Sequence, residues 1–344
     1  MQKKKILYLD ILRILASFAV IAIHVSTQNF DSYSVDTYEW GAFNVFDSLS
    51  RWAVPVFCMI SGTLFLNKDK KIKTLSLYTK NISRMLIAYF VWSTFYAVFN
   101  YDVDVIGKTE FIKKIFLGNY HMWYILLIVG FYALVPVLRR ISSSRATTQY
   151  FILISLVVTF LIPAVALIPN FEWVKTNANR AFLNLPLGYT PYFFIGYYIV
   201  KYDIAKWLKK LIYILGPLAF AGTILGTLVI SQLKGKFYSE FYQYDSFTVL
   251  FQSLFVFVAV KELFENVNPS EKAEKFISAI SKHTFGVYLV HTFIIFELNE
   301  LFGINSVTVN PYIAIPAVIF ITYLVSEIIS AILNHIPLVK KYLV

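Results

Sequence analysis

Residues 8–26 read YLDILRILASFAVIAIHVS, an apolar run that contains one arginine, Arg13, and one histidine, His24. The run has the length and hydrophobicity of a helix that crosses a membrane. Successive helical residues turn by about 100°, so Arg13 and His24 project within about 20° of each other, roughly 16 Å apart along the axis. Ionisable groups at this depth are costly and usually line a pathway or site. The stretch therefore predicts a membrane helix whose cation and imidazole face a shared polar interior.

The composition of the whole chain also indicates a membrane protein. The 344 residues are 58% hydrophobic and 18% aromatic, with a mean hydropathy of +0.63, whereas a soluble domain is about 45–50% apolar. The single cysteine, Cys58, excludes a disulfide framework or a cysteine-based metal site. With roughly 20 residues per span, we predict an all-α integral membrane protein, a bundle of about ten transmembrane helices over residues 6–26, 43–66, 82–100, 121–138, 149–168, 187–200, 211–231, 246–263, 284–302 and 312–333.

The distribution of basic residues predicts how the bundle is oriented. Most of the 31 lysines and arginines fall in the loops on the same side as the N-terminus, and cytoplasmic loops are typically rich in these residues. Both termini are therefore predicted to be cytoplasmic. Orientation and contact with anionic lipids of the bilayer account for the net charge of +11, so no nucleic-acid partner is expected. No internal repeat or long linker is visible, and we expect residues 1–344 to form a single transmembrane domain.

Several charged and small residues of the second and third spans are further candidates for a functional site. Asp47 and Arg51 are four residues apart and are expected to pair on one helix face. Ser61, followed by a glycine, permits a close approach of another helix. At the start of the third span, Arg84 either extends to lipid headgroups or, with Lys80 nearby, binds the phosphates of a donor.

The fourth and ninth spans supply the other candidate site residues. His121 lies at about the same outer depth as His24, so the two could share a site, and Trp123 either lines that site or belongs to an interfacial aromatic belt. His291 lies roughly 10 Å into the ninth span, with Glu297 deeper. A lone histidine on an apolar helix face is commonly a satisfied core residue, so both readings of His291 stay open.

The chemistry of these residues points to two functions. The sequence has no glycine-rich phosphate loop, GxSxG elbow or HExxH pair, and its scattered histidines do not predict a metal site. A buried histidine can remove the proton of a hydroxyl, and an arginine can stabilise the developing negative charge. This combination predicts acyl transfer to an alcohol, but it equally fits a transporter of a glycan or small solute in which histidine and arginine relay protons.

Six motifs, taken in order, resemble those of the membrane acyltransferase-3 family over nearly the whole chain. They are Arg13-x10-His24, VPVFCMISGTLF at 54–65, SRMLIAYFVWS at 83–93, HMWYILLIVGFYALVPVL at 121–138, PYFFIGYYI at 191–199 and SKHTFGVYLVHTF at 281–293. The layout is similar to the short, stand-alone branch typified by the enterobacterial common antigen O-acetyltransferase. No SGNH-type extracytoplasmic domain is expected after the tenth span.

The resemblance implies an enzyme of the bacterial cytoplasmic membrane that transfers an acetyl group from acetyl-CoA to a hydroxyl of an envelope glycan or lipid-linked saccharide. It implies that Arg13 and His24 are essential to catalysis and that Arg84 faces the CoA phosphates. It also matches His291 to the histidine of the family's ninth-span motif, which we assign to the CoA site. Another donor, such as succinyl-CoA, fits the same pattern, and no metal is expected.

Overall fold

A computed structural model describes residues 7–68, 72–180 and 188–344, and within these residues the chain is helical, with no strand. The helices are α1 Leu7–Thr27, α2 Tyr38–Ser48, α3 Ala53–Phe65, α4 Thr74–Ser76, α5 Ser83–Asn100, α6 Val103–Ile106, α7 Lys108–Leu117, α8 Trp123–Ile141, α9 Arg145–Leu156, α10 Ile162–Ala166, α11 Trp173–Arg180, α12 Thr190–Lys201, α13 Lys206–Lys234, α14 Phe247–Phe264, α15 Glu271–Phe302, α16 Pro311–Leu333 and α17 Pro337–Tyr342. Two π-helical segments, Leu77–Ile82 and Val157–Leu161, join α4 to α5 and α9 to α10.

Nine helical stretches in the described part of the chain are long and apolar enough to cross a membrane. They coincide with nine of the ten predicted spans and are Leu7–Ser32, Tyr38–Phe65, Thr74–Asn100, Trp123–Ile141, Arg145–Ala166, Lys206–Lys234, Glu240–Phe264, Glu271–Phe302 and Pro311–Leu333. The chain is an all-α, multi-pass membrane protein, as the apolar pattern predicts.

The sixth predicted span is the exception. Its predicted start at residue 187 lies outside the described residues, and the helix observed there, α12, has 12 residues. Such a helix is only about 18 Å long, whereas the hydrocarbon core of a bilayer is about 30 Å thick. Nearly every residue from Thr190 to Ile199 is buried, so α12 lies inside the protein. The prediction of ten full-length spans therefore exceeds by one the nine that the described residues contain. The reason is that the apolar pattern of a helix buried in protein resembles that of a helix that faces lipid.

Two glycines allow α12 to pack directly against α3. A Cβ atom on Gly62 would lie 1.7 Å from the carbonyl oxygen of Phe193, and one on Gly196 would lie 2.3 Å from the carbonyl oxygen of Met59. Any side chain larger than hydrogen would collide with main-chain atoms at either position. The close helix approach predicted at Ser61 and Gly62 is thus made with α12.

The second predicted span is broken into two helices. Between the end of α2 and the start of α3, residues 49–52 form a turn. Pro55 does not bend this segment, because it occupies the first turn of α3, where proline costs no hydrogen bond. The break places Arg51 in the turn rather than on a continuous helix, and this brings its side chain into the interior described below.

Helices α1 and α15 lie side by side and run in the same direction. Ser281 donates a hydrogen bond to Asp10 near the start of α1 at 2.6 Å, and the rings of His24 and His291 are 5.1 Å apart near its end. Ser330, near the end of α16, donates to the carbonyl oxygen of His283. The start of α1 and the end of α16 therefore lie at the same end of the bundle, and the cytoplasmic location of that end remains a prediction.

Candidate functional site

A cavity of about 560 Å³, called the main cavity, lies between α1, α3, α5, α8 and α15. Arg13 and His24 both line it. This agrees with their spacing, which places both side chains on one face of α1. Most of the other predicted site residues also line it, although they come from three predicted spans, and they are Arg51, Ser61, Arg84, His121 and Trp123.

Among the described residues that line the main cavity, four side chains are cationic and none is a carboxylate. The cations are Arg13, Arg51, Arg84 and Lys282. Two of them are paired with acids behind the wall: Asp10 contacts Arg13 at 2.9 Å, and the fully buried Asp47 pairs with Arg51 as predicted. The ring of Tyr242 lies 4.2 Å from the guanidinium of Arg51. The remaining positive charge suits an anionic ligand.

Three histidines from distant parts of the chain meet at one end of the main cavity. The ring centroids of His24 and His291 are 5.1 Å apart, those of His121 and His291 are 5.3 Å apart, and those of His24 and His121 are 6.5 Å apart. His121 and His291 are buried, while His24 is partly exposed to the interior. His24 is therefore the most accessible member of this cluster to a ligand.

The hydrogen bonds of the two buried histidines fix which ring nitrogen carries the proton. His291 Nδ1 lies 2.6 Å from the carbonyl oxygen of Tyr288, which can only accept, so Nδ1 is the donor. His121 Nδ1 faces the hydroxyl of Thr292, whose own proton goes to Tyr96. In both rings Nε2 is thus an acceptor, and both Nε2 atoms are buried without a hydrogen-bond partner among the described residues.

His24 stands between two pockets. Besides the main cavity it lines a second pocket of about 480 Å³, which lies where α1 and α5 end. Its imidazole makes no hydrogen bond with the described part of the chain, so its ring nitrogens are available to a bound molecule. A group that enters from either pocket can reach the same imidazole.

Arg84 occupies the opposite end of the main cavity from the histidines. Its guanidinium donates a hydrogen bond to the carbonyl oxygen of Val344 and lies 6.0 Å from the ring of Phe285. Its Nε atom is buried and has no partner in the described residues. Arg84 thus lines the cavity with one guanidinium N–H group that has no partner in the described residues.

Three predicted site residues do not line the main cavity. Lys80 is exposed, about one helical turn beyond Arg84 towards the end of the bundle. His291 is fully buried behind His24, so it contacts the imidazole rather than a donor in the cavity. Glu297 is not among the described residues that line the main cavity or the second pocket described above, so the site-lining position predicted for it is not observed.

Sequence reasoning missed two contributors to the site. Tyr288 lines the main cavity, and its hydroxyl donates to the carbonyl oxygen of His121. Its position three residues before His291 on a helix was an available signal. Lys282 also lines the cavity but looked like an ordinary interfacial lysine, because only the packing of α15 shows which way it faces.

The main cavity and the three histidines lie within the part of the chain that matches a known protein family. The profile of a family described as "Acyltransferase domain", the acyltransferase-3 family, matches residues 6–331. No curated protein and no solved structure matches the chain. Among the described residues, no group of three or more His, Cys, Asp or Glu side chains is arranged to hold a metal ion. Because the matched region covers nearly the whole chain, including every residue that lines the main cavity, the protein belongs to the acyltransferase-3 family.

Proposed function

We propose that this protein is an O-acyltransferase of a bacterial cytoplasmic membrane that moves an acetyl group from acetyl-CoA to a hydroxyl of an envelope glycan or lipid-linked saccharide. Membership of the acyltransferase-3 family supports acyl transfer. The observation that carries the proposal is the position of His24 between a cationic cavity and a second pocket. Donor and acceptor can then approach one imidazole from opposite sides.

The cationic lining supports a CoA thioester as the donor. CoA carries phosphates at one end and the thioester at the other, joined by a thin pantetheine arm. Arg84 and Lys282 lie at the end of the cavity away from His24, and the exposed Lys80 lies close to that end. Guanidinium groups bind phosphates with paired hydrogen bonds. The roughly 16 Å between Arg13 and His24 along α1 is comparable to the length of the pantetheine arm, which would extend past Arg13.

In the proposed reaction His24 is the general base. It removes the proton of the acceptor hydroxyl as the oxygen attacks the thioester carbonyl carbon. A carbon–oxygen bond forms next to His24, while Arg13, about 16 Å away along α1, holds the extended donor from the cavity wall. The carbon–sulfur bond then breaks, and the CoA thiolate takes the proton back from His24. His24 ends the cycle neutral, so no external acid or base is consumed.

His121 and His291 support this role without touching the substrate. When His24 is protonated, its N–H groups need acceptors, and the unpaired Nε2 atoms of both neighbours are acceptors. The neighbouring rings therefore stabilise the imidazolium form of His24 and restrict its orientation. In this proposal His291 is a positioning residue for His24 rather than a CoA ligand.

Two alternatives are separated by binding measurements. The site fits another acyl-CoA, such as succinyl-CoA, because the adenosine and phosphate ends are identical. A transporter without catalysis has no reason to bind CoA. Only the transferase is expected to gain thermal stability from CoA, since a ligand stabilises the state that binds it. The resemblance to the branch of the enterobacterial common antigen O-acetyltransferase supports acetyl and a glycan over these alternatives.

The decisive test is acetyl transfer by the reconstituted protein. Labelled acetyl-CoA is supplied to the protein in lipid nanodiscs with an envelope glycan extract. We expect His24→Ala to lower transfer at least about 100-fold, in the range of losses that follow removal of a general base. The matched control is His335→Ala, which removes an exposed histidine at the end of the bundle away from the histidine cluster. Equal transfer by wild type and His24→Ala would refute the mechanism.

A further inference from the structure

The second pocket has the location expected of an acceptor subsite. It is bounded by the end of α1 at Thr27, the end of α5 at Asn100, and α15. These helix ends are opposite the end of the bundle where Asp10 meets Ser281. His24 forms the part of the wall that faces the main cavity. A molecule in the second pocket can therefore contact the same imidazole, the proposed general base, that lines the cationic cavity.

The lining of the second pocket is polar and aromatic but uncharged. Amide side chains come from Gln28, Asn100 and Asn119, and aromatic rings come from Phe99 and Tyr101 among others. In the part of the chain that the structure describes, no lysine, arginine, aspartate or glutamate lines it. Amides donate to and accept from hydroxyl groups, while aromatic faces pack against the C–H groups of a sugar ring. This lining contrasts with the four cations of the main cavity and offers nothing to balance the charge of an ionic ligand.

One atom of the second pocket points specifically to a hydrogen-bond donor. The carbonyl oxygen of the Gln28 side chain, Oε1, is buried and has no hydrogen-bond partner among the described residues. Buried acceptors are nearly always paired, so an unpaired one in a pocket is explained by a ligand or an ordered molecule that donates to it. A hydroxyl group of a sugar supplies such a donor without bringing a charge.

We propose that the second pocket is the acceptor subsite and that it takes a neutral sugar residue, which donates a hydroxyl hydrogen bond to Gln28 while another hydroxyl faces His24. This inference rests on the function proposed above. It adds that the acceptor sugar is neither anionic nor cationic at the reacting residue and that Gln28 selects for it.

The test uses three methyl glycosides of the same ring size that differ in charge: methyl glucoside, methyl glucuronide and methyl glucosaminide. Each is offered with labelled acetyl-CoA to the protein in nanodiscs, and acetylated product is measured by mass spectrometry. We expect kcat/KM for the neutral glycoside to exceed those of both charged glycosides at least about tenfold. Equal or better use of a charged glycoside would overturn the proposal, as would label that enters lipid or water but no glycoside.

Variants of the pocket provide the second measurement. Gln28→Leu keeps the size of the side chain and removes the acceptor, so the KM for methyl glucoside is expected to rise about tenfold, with less than twofold change in the KM for acetyl-CoA. Asn100→Ala, an exposed position, should act in the same direction. The matched control is Gln232→Leu, an exposed glutamine of α13 outside the pocket. Equal increases in both KM values, or none in either, would overturn the subsite.

The two proposals fail in different ways. If acetyl-CoA is consumed in a manner that depends on His24, but the glycosides or Gln28 do not behave as expected, the acceptor subsite is wrong and the transferase proposal stands. If no acetyl-CoA turnover depends on His24, both are overturned.

Discussion

The close packing of α3 against α12 makes Gly62→Ala the most informative single change to the fold. The added Cβ would lie 1.7 Å from the carbonyl oxygen of Phe193. Both partners belong to helix backbones, so no side-chain rotation can relieve the collision. Because α3 also carries Ser61 and follows the turn that holds Arg51, the change should disturb the main cavity as well as the fold.

The expected loss of stability follows from the size of the collision. Cβ atoms essentially never approach another atom within 3.0 Å, so the two helices must separate locally by at least about 1.3 Å. Overpacking of a well-packed interior costs about 1–3 kcal/mol, and a clash between backbones should fall near about 3 kcal/mol. At about 2 °C per kcal/mol for a long chain, the midpoint of thermal unfolding should fall by about 6 °C.

The single cysteine of the chain provides the assay. Cys58 is fully buried on α3, one turn before Gly62. A thiol-reactive fluorescent dye therefore reports the opening of this helix contact directly as temperature rises. Wild-type protein should react only near its unfolding midpoint, and Gly62→Ala should react at lower temperature.

Gly222→Ala is the matched control for this experiment. Its Cβ would meet nothing closer than the Thr248 methyl group at 3.6 Å, an ordinary contact. Alanine is favoured over glycine in a helix by about 1 kcal/mol, so this variant should unfold at the wild-type temperature or slightly above it. If Gly62→Ala shifts the midpoint no more than Gly222→Ala does, the backbone contact between α3 and α12 does not exist as described.

Three further predictions concern the main cavity. Arg84→Ala should raise the Kd for CoA at least about tenfold by calorimetry, because it removes a phosphate contact; an equal effect of Arg140→Ala, an exposed control, would contradict this role. Asp47→Asn leaves a mostly buried guanidinium without its anion, so the thiol-dye midpoint should fall by several degrees, as for a loss of about 3 kcal/mol; an unchanged midpoint would contradict it. Thr292→Val removes the acceptor for His121 Nδ1. The kcat should then fall about tenfold, with little change in the KM for acetyl-CoA. A rise in that KM without a change in kcat would instead place Thr292 in donor binding.

The sequence was sufficient for the properties that depend on a residue's immediate neighbours. The apolar runs predicted nine long helical stretches that overlap the observed ones in the described part of the chain, because burial in lipid demands hydrophobic stretches of a set length whatever they pack against. The helical period likewise placed Arg13 and His24 on one face, and the four-residue spacing paired Asp47 with Arg51.

Features that depend on which helix faces meet required the tertiary structure. The apolar pattern of α12 gives no sign that protein rather than lipid covers it. Glu297 looked suitable by its depth in α15, but it is not among the described residues that line either pocket. His121 and His291 become neighbours of His24 only because α1, α8 and α15 pack together, and the contact partners His121 and Thr292 are 171 residues apart in the chain. Sequence periodicity specifies what each helix presents, whereas the steric fit between helices, as at Gly62 and Gly196, decides what each face meets.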